Sequence, residues 1–266
     1  MRSHVVLLLA LAFPVVVVAQ QSADPLEAVT RLEQQRLEAI QSGADVVRFY
    51  APEYRGINAL GQYETREQIL ALKADATYAR MREVTIELHD DAAIVTGVEG
   101  ASGSDRERVL RIWTRSNGVW TVAAAHSTWI GDREGAPPPT GPLATPGVPF
   151  VSQNRAEESL WLSQDALMHA FADANPESYK IFSTEKSLRM TTNGDAIPRD
   201  QWLETIARRQ KGPVADVDEV RMWFFGDVAV VNLRGHEMNP TRQSWVYVRQ
   251  RGLWLLHLRF TTLIRI

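Results

Sequence analysis

Cysteine is absent from this chain of 266 residues. Its absence excludes a disulfide framework, a thiol nucleophile and a zinc ion held by thiolates. The fold must therefore be held together by apolar cores, and a hydrophobic content of 45% with eight tryptophans can supply them. A chain of this length has room for about two domains of ordinary size.

A surplus of positive charge is also missing. The chain has 29 Lys and Arg against 32 Asp and Glu, which gives a formal net charge of −3. Proteins that bind nucleic acids usually present a basic face to the phosphate backbone. The composition therefore argues against a nucleic-acid partner.

Long apolar runs are confined to the N-terminus. Arg2 and His4 precede an apolar stretch over residues 5–12, and a second stretch ends in small residues at 17–19. This pattern predicts a secretory signal peptide over residues 1–19 and export to the periplasm or the extracellular space. A membrane anchor is the alternative, but the run is short for a span and no basic cluster follows it. We expect no membrane span after cleavage.

Recognisable catalytic and metal-binding motifs are lacking. The sequence contains no Gly-rich phosphate loop, no nucleophile elbow and no zinc-binding helix. The segment His89-Asp90-Asp91 is better explained as a tight turn between strands, because Asp stabilises such turns through its own backbone. We therefore predict no metal site and no cofactor.

The chain does contain an internal repeat. Gly61 is followed five residues later by Arg66, and Gly194 is followed five residues later by Arg199. Each half then closes with two apolar segments around a turn, over residues 112–120 and 246–254. A repeat of roughly 130 residues indicates a duplicated domain.

Periodicity gives both halves the same order of elements. Apolar residues at helical spacing come first, and alternation of period two follows. Within about 110 residues this order predicts an α+β unit with helices on one face of a sheet. The predicted segments are a first domain over 24–130, a Pro-rich extended linker over 131–152 and a second domain over 153–266.

Several motifs resemble those of a known family. They are Phe49-Tyr50-Ala51, the glycine at 61, Arg108-x-Leu110-x-Ile112-Trp113 and Asn117-Gly118-x-Trp120. The chain resembles tandem nuclear transport factor 2-like (SnoaL-like) domains, nearest to the family's branch of domains of unknown function. The resemblance covers 24–130 well and 153–266 more weakly.

The resemblance implies two cone-shaped domains, each with three N-terminal helices packed on a curved, mostly antiparallel sheet. It also implies an internal pseudo-dimer, because relatives pair through their sheets. The mouth of such a cone admits a small ligand. The family's isomerases place a general-base Asp where this chain has Asn58 and Thr191, and a phenol where it has Arg36. Neither Asn58 nor Thr191 titrates in the useful range, so the isomerase mechanism is not implied.

The candidate site centres on His126, late in the last strand of the first half. If the turn at 117–118 has two residues, counting outward pairs His126 with Val109 and Arg111 with Ala124. Alternation along the strands then places a histidine, an arginine and two indoles on one face. These are His126, Arg111, Trp113 and Trp120, with Glu99 on the neighbouring strand positioned to orient the histidine.

Such a face would suit an anionic or aromatic ligand, and a histidine could act as acid or base near neutral pH. We predict ligand contacts from Asn58, Glu99, Arg111, Trp113 and His126, with His126 as the catalytic candidate. The alternative is that these side chains are structural: the histidine and the tryptophans are packed in the core, and the arginine pairs with Glu99 or Glu107.

The second half carries different residues at the matching positions. Trp245 replaces Arg111 and Phe260 replaces His126, so the matching face is predicted to be apolar and to serve as core or interface. Any activity would then be confined to the first half. Arg108 and Arg242 occupy matching positions and indicate either an ion pair within each sheet or a common ligand contact.

These observations predict an exported, non-catalytic protein that binds a small apolar or anionic molecule in the first domain's cone. A lyase, isomerase or hydrolase that uses His126 is one alternative, and a structural or protein-interaction module is another. Catalysis needs His126 in a deep pocket beside a second polar group, whereas binding needs only the pocket. A scaffold should show both cones filled by side chains.

Overall fold

The structure is a computed structural model, which describes residues 24–70, 80–101, 104–131, 150–236 and 239–265. The predicted signal peptide and most of the predicted linker lie outside these residues. The sequence also predicts a helix that opens at Thr65 and runs to about Tyr78, and the end of that segment lies outside them too. Each half is an α+β unit with a six-stranded sheet.

The elements of the first half, in chain order, are α1 (Pro25–Ser42), a 3-10 turn (Val47–Phe49), β1 (Tyr50–Ile57), β2 (Tyr63–Thr65), α2 (Arg66–Leu70), β3 (Arg80–His89), β4 (Ala92–Ala101), β5 (Ser104–Ser116) and β6 (Val119–Trp129). Those of the second half are α3 (Arg155–Ala172), α4 (Pro176–Ile181), β7 (Ser183–Met190), β8 (Ala196–Pro198), α5 (Arg199–Arg208), β9 (Val217–Phe225), β10 (Val228–Gly235), β11 (Thr241–Gln250) and β12 (Leu253–Leu263).

Local signals set the ends of these elements. The Asp24 carboxylate accepts a hydrogen bond from the Leu26 amide at 3.0 Å and caps α1. Thr65 and Gln68 have the spacing of a capping box before α2, and the Thr65 amide donates to the Gln68 side chain at 2.8 Å, which is one of the two bonds of that motif. Asn117 and Gly118 have φ values of 51° and 78°, the backbone that a two-residue hairpin turn requires.

Both sheets have the same strand order. The first runs β2-β1-β6-β5-β4-β3 and the second runs β8-β7-β12-β11-β10-β9. β1 lies parallel to β6 and β7 lies parallel to β12, whereas the other neighbours are antiparallel. This common order is what a duplicated unit predicts.

Three apolar clusters hold the described chain together. One packs the helices of the first half against its own sheet, and a second does the same in the second half. The third cluster lies between the two sheets and draws on both. Its buried members are Ala92, Ile94, Leu110, Ile112 and Ala124 from the first half, and Met190, Val228, Val230, Val246, Val248, Leu258 and Phe260 from the second.

The β5–β6 hairpin carries a register shift. Trp113 pairs with Val122, as counting outward from the two-residue turn predicts, but Ile112 pairs with Ala124, which leaves Ala123 as an extra residue in β6. The predicted pairs beyond this point are wrong because one additional residue exchanges the two faces of a strand. β11 and β12 show the same kind of shift between Val246 and Tyr247.

Reciprocal turns also join the two halves. The Arg265 amide donates to the Leu60 carbonyl at 2.8 Å, and the Gly131 amide donates to the Asn193 carbonyl at 2.9 Å. Each bond links the turn after the first strand of one half to the end of the last strand of the other. Among the described helices, none has both the length and the apolar character needed to cross a membrane.

Candidate functional site

A cavity of about 550 Å³ lies in the first half. It is bordered by α1, by β1 and the turn after it, by β2 and α2, and by β4, β5 and β6. Its apolar lining is Ile40, Ile57, Ala59, Leu60, Ile69, Val109, Leu110, Ala125 and Trp129, and its polar lining is Arg36, Tyr50, Tyr54, Asn58, Glu64, Glu99, Arg106, Glu107, Arg111, His126 and Ser127. Apolar and polar side chains thus share the lining of this cavity, and several of the polar ones are charged.

Four buried charged side chains meet at one wall of this cavity. Arg111 donates to Glu33 at 2.7 Å and to Glu99 at 2.7 Å. Arg36 donates to Glu33 at 3.1 Å and also binds Glu99. Two carboxylates and two guanidinium groups therefore alternate in a closed ring, which we call the ion quartet.

The ion quartet is balanced in charge. Burial alone would raise the pKa of Glu33, but Arg111 and Arg36 lower it to about 2. The same two arginines hold the pKa of Glu99 below its usual value against the effect of burial. All four groups are therefore ionised at neutral pH and neutralise one another.

This balance changes the interpretation of Arg111. The sequence predicted that its guanidinium would receive an anionic ligand, with an arginine paired to Glu99 as the alternative. The structure supports the alternative, because Arg111 is engaged by Glu33 and Glu99. Trp113 is fully buried in the core and donates its indole N–H to Glu33 at 2.6 Å.

A second polar group, which the sequence did not predict, lies on β2. The Tyr54 hydroxyl donates to the Glu64 carboxylate at 3.1 Å. Gly56 lies beneath this pair, since a Cβ on Gly56 would come within 2.3 Å of the Tyr54 hydroxyl oxygen. The glycine therefore makes room for the phenol to reach the carboxylate.

Glu64 differs from the glutamates of the ion quartet. Burial raises its pKa, the hydrogen bond from Tyr54 opposes the rise and the nearby Glu107 adds to it, so that the pKa is about 7. Glu107 lines the same cavity. The cavity thus presents two carboxyl groups, one of which can be neutral or ionised near physiological pH.

His126 does not share a face with Arg111. It pairs with Leu110, and its ring nitrogens lie 2.7 Å from Ser244 Oγ and 2.9 Å from Thr262 Oγ1 in the second half. Burial lowers its pKa to about 3, so the imidazole is neutral at physiological pH. His126 borders the cavity, but both of its ring nitrogens are hydrogen-bonded to the second half.

Two further predictions need correction or detail. Glu99 does not orient His126, because its carboxylate is bound by Arg36 and Arg111. Asn58 lines the cavity, but its side-chain oxygen accepts hydrogen bonds from the Leu60 amide at 3.0 Å and the Gln62 amide at 3.1 Å. Its amide side chain therefore shapes the turn after β1.

The predicted apolar face of the second half is also wrong in its composition. Trp245, Tyr247, Trp254 and Leu256 pack with the helices of that half, whereas the register shift turns Leu258 and Phe260 towards the other sheet. A cavity of about 310 Å³ with mostly polar lining lies beside the first group.

Arg108 and Arg242, which occupy matching positions in the two halves, each form an ion pair, and this was one of the two predicted alternatives. Arg108 lies 3.1 Å from Glu83, and Arg242 binds Glu219. The His89–Asp91 segment forms the predicted turn, with Asp90 at a φ of 47°. Within the described ranges, no group of three or more His, Asp or Glu side chains is arranged to hold a metal ion.

The comparisons concern the fold alone. No protein-family model matches the chain, and no curated protein matches it. A nuclear transport factor 2-like protein of unknown function from Shewanella baltica is 8% identical, with 43% of this chain and 98% of that chain covered and a TM-score of 0.37. A similar protein from Cytophaga hutchinsonii is 22% identical, with 41% and 100% covered and a TM-score of 0.31.

A third solved structure is a protein of unknown function from Pectobacterium atrosepticum, in the DUF3225 family. It is 13% identical, with 40% of this chain and 88% of that chain covered and a TM-score of 0.35. Each of these structures corresponds to less than half of this chain. The resemblance of the chain to nuclear transport factor 2-like domains, predicted from its motifs, is confirmed.

Proposed function

We propose that this chain is an exported protein that binds a small molecule in the cone of its first domain. In this proposal the cone is the space between the first sheet and its helices, and the 550 Å³ cavity bordered by both supports it. The proposal depends above all on this cavity, since a scaffold protein would fill the space with side chains. Its volume lies within the range of about 300–1,000 Å³ that is typical of small-molecule sites.

The lining indicates the chemistry of the ligand. Isoleucine, valine and tryptophan side chains favour an apolar body. Because the ion quartet is neutral, it offers no surplus positive charge to an anion. Glu64 and Glu107 favour a ligand that donates a hydrogen bond, and the Tyr54 hydroxyl fixes the Glu64 carboxyl in position. We therefore propose a small, mostly apolar molecule with a hydroxyl or amino group.

The pseudo-dimer and the export belong to the same proposal. The apolar cluster between the two sheets supports an arrangement in which one chain reproduces a dimer of single domains. The predicted signal peptide at 1–19 supports export.

Catalysis is a second candidate, and one observation favours it. A partly buried carboxyl group with a pKa of about 7 is suited to accept or donate a proton at neutral pH. Glu64 lies at the cavity surface, where a bound molecule could reach it. His126 is not the proton carrier in this candidate, because both of its nitrogens bind the second half.

The binding proposal can be tested by filling the cavity. The variant Ala125→Phe places a ring in it, and the matched control Ala156→Phe places the same ring at an exposed position on α3. We would measure the thermal shift caused by a panel of small apolar alcohols and amines. Compounds that raise the Tm of the wild-type protein and the control should fail to raise the Tm of Ala125→Phe.

Two results would contradict this proposal. One is a panel in which no compound shifts the wild-type Tm, and the other is a shift that survives in Ala125→Phe. Conversion of a bound compound by the wild-type protein, abolished in Glu64→Gln while binding persists, would favour the catalytic candidate instead.

A further inference from the structure

The Glu64 carboxyl group uses only one of its two oxygens for hydrogen bonding within the described chain. Oε2 accepts the hydrogen bond from the Tyr54 hydroxyl at 3.1 Å, whereas Oε1 has no hydrogen-bond partner among the described residues. Glu64 lines the first-domain cavity, and Gly56, with which it pairs, carries no side chain. A bound molecule can therefore bring a donor of its own to Oε1.

The formal charges of the cavity wall add up to zero when Glu64 is left out. The ion quartet contributes two positive and two negative groups. Arg106 and Glu107 contribute one of each sign, and the Arg106 guanidinium lies 5.2 Å from the centre of the Trp129 ring. An ionised Glu64 therefore gives the wall one negative charge in excess. Because buried charges are usually paired, this excess favours a cation.

The cationic side chains of the strand and helix beside Glu64 are directed to backbone groups. On β1, Arg55 donates to the Tyr54 carbonyl at 2.7 Å, and on α2, Arg66 donates to the Tyr50 carbonyl at 3.1 Å. Burial raises the pKa of both tyrosines, so their hydroxyl groups are neutral. Within the described chain, no arginine or lysine forms an ion pair with Glu64.

The other titratable groups near Glu64 are acidic or neutral. Glu107 on β5 raises the pKa of Glu64 by repulsion. Glu107 already has interaction partners of its own, so we assign no ligand contact to it here. His126 on β6 is neutral, and Glu67 at the start of α2 is exposed. The charge of an ionised Glu64 is therefore left for a ligand to compensate.

In the free protein, a proton compensates this charge. Because burial raises the pKa of Glu64 to about 7, the carboxyl group keeps its proton in slightly acidic solution. The ammonium group of a ligand can take the place of this proton, since it brings the same charge and several N–H donors. The Tyr54 hydroxyl holds Oε2 in position during this exchange.

We propose that the first-domain cavity binds small amines, with the ammonium group hydrogen-bonded to Glu64 Oε1 and the apolar body against the aliphatic lining. The ammonium group displaces the proton of Glu64, so that binding releases a proton below neutral pH and becomes stronger as the pH rises. This ligand class rests on the binding function proposed above, and it narrows the hydroxyl or amino group to a charged amine.

Isothermal titration calorimetry of the full chain tests this assignment with matched pairs of an amine and an alcohol. The pairs are 2-phenylethylamine with 2-phenylethanol, and cyclohexylmethylamine with cyclohexylmethanol. Only the ionised form of Glu64 accepts an ammonium group, so the affinity for the amines should rise about tenfold between pH 6 and pH 8. The affinity for the neutral alcohols should change by less than about twofold.

Titrations in buffers of different ionisation enthalpy count the protons that binding releases. About one proton should leave for each amine bound at pH 6, and almost none at pH 8, where Glu64 is already ionised. The amines themselves stay protonated at both pH values, because the pKa of an alkylammonium group is about 10. The alcohols should release no proton at either pH.

Variants connect this behaviour to Glu64. Glu64→Gln keeps the shape of the side chain and removes its charge, so it should weaken amine binding at pH 8 about tenfold and abolish the proton release. Its affinity for the alcohols should stay within about twofold of the wild-type value. The matched control Glu53→Gln alters an exposed glutamate of β1 and should change neither affinity.

Tyr54→Phe gives a second, independent variant. It removes the hydrogen bond that favours the ionised carboxylate, so the pH at which amine affinity is half-maximal should move upward. If Glu64→Gln does not fold, as circular dichroism would show, this shift decides the matter, and an unchanged midpoint in Tyr54→Phe would overturn the assignment.

The possible results separate this assignment from the binding function itself. Amine binding that releases no proton at pH 6, or that is equally strong in Glu64→Gln, overturns the role of Glu64. Binding of the alcohols without binding of the amines overturns the ligand class but leaves the cavity as a binding site. Binding of neither class would overturn both proposals.

Discussion

At the level of single residues, two glutamates that line one cavity respond to burial in opposite ways. Glu99 has two arginine partners, and its pKa is lowered. Glu64 has a phenol and a second carboxyl group beside it, and its pKa rises to about 7. The partner of each carboxyl group, and not its burial alone, decides its charge.

The raised pKa of Glu64 predicts how stability depends on pH. In the unfolded chain this carboxyl group ionises near its usual value of 4.5, whereas in the folded protein it keeps its proton up to about pH 7. The folded state thus binds more protons in this window, and Glu64 makes the free energy of unfolding fall as the pH rises through it. The loss should be roughly 2 kcal/mol, since partial exposure weakens the effect.

Urea denaturation of the wild-type protein and of Glu64→Gln at pH 5 and pH 8 measures this contribution. The variant should gain stability relative to the wild-type protein between the two pH values, because its amide does not ionise. A difference between the two proteins that is the same at both pH values would refute the assignment.

His126 gives a second prediction at this scale. The variant His126→Phe copies Phe260, its counterpart in the second half. The two hydroxyl groups that lose the imidazole each keep another partner: Ser244 donates to the Asn232 side chain, and Thr262 donates to the Ser127 carbonyl. We expect the free energy of unfolding to fall by about 1–2 kcal/mol at pH 7. Ligand binding in the first-domain cavity should not change.

The pH dependence of this variant has a defined sign. The folded-state pKa of His126 is about 3, below the ordinary value of 6.5, so stability due to the neutral ring is lost as the pH falls between these values. Denaturation curves at pH 7 and pH 4.5 should show a smaller acid loss in His126→Phe than in the wild-type protein. Loss of ligand binding in this variant would return His126 to the site.

At the level of elements, the sequence predicted hairpins and turns well, but the residues that it assigned to each face of the strands were wrong beyond the register shift. The turn at Asn117 and Gly118 and the pair Trp113–Val122 depend on local signals. The extra residue Ala123 gives no such signal, because an alanine fits either face of a strand. One unseen bulge therefore moved His126 from the predicted cavity face to the interface.

Glu64 was missed for a similar reason. It lies in a three-residue strand next to the start of a helix, where the sequence indicates only the capping box. Its contact with Tyr54 depends on the pairing of β1 with β2 across Gly56. The combination of a tyrosine, a glycine two residues later and an acidic residue in the next extended segment is the only sequence signal, and it is weak.

The reciprocal turns give a prediction at the element scale. Gly61 and Gly194 have φ values of 71° and 77°, and a Cβ on either would lie within 3.0 Å of backbone in the other half. Gly118 has a φ of 78° but open space around it, and it serves as the matched control. Gly118→Ala should cost about 1–2 kcal/mol from backbone strain alone.

Gly61→Ala and Gly194→Ala should each cost about 1–3 kcal/mol more than the control, because the added methyl group also forces the two halves apart. Chemical denaturation measures all three. Equal losses in the three variants would show that these turns do not depend on the contact between the halves.

At the level of the whole molecule, the two halves share a core. Their sheets meet through the third apolar cluster, and His126, Ser244 and Thr262 add hydrogen bonds across it. Either half alone would expose Ile94 and its neighbours, or the matching residues of the second sheet, to water. Each half therefore depends on the other for part of its stability.

This shared core predicts one cooperative unfolding transition. In scanning calorimetry we expect a single peak, with a calorimetric enthalpy equal to the van't Hoff enthalpy. Leu258→Ala, in the shared cluster, should lower the Tm of this one peak without dividing it. Two separate peaks in the wild-type protein would contradict the dependence of one half on the other.

The most direct test of the whole account is a crystal structure with a compound that raises the Tm of the wild-type protein but not that of Ala125→Phe. If the first domain binds a small apolar ligand, the compound lies in the first-domain cavity, with its apolar body against Trp129 and its polar group in contact with Glu64. A saturating compound bound elsewhere on the molecule, with side chains closed over this cavity, would contradict it.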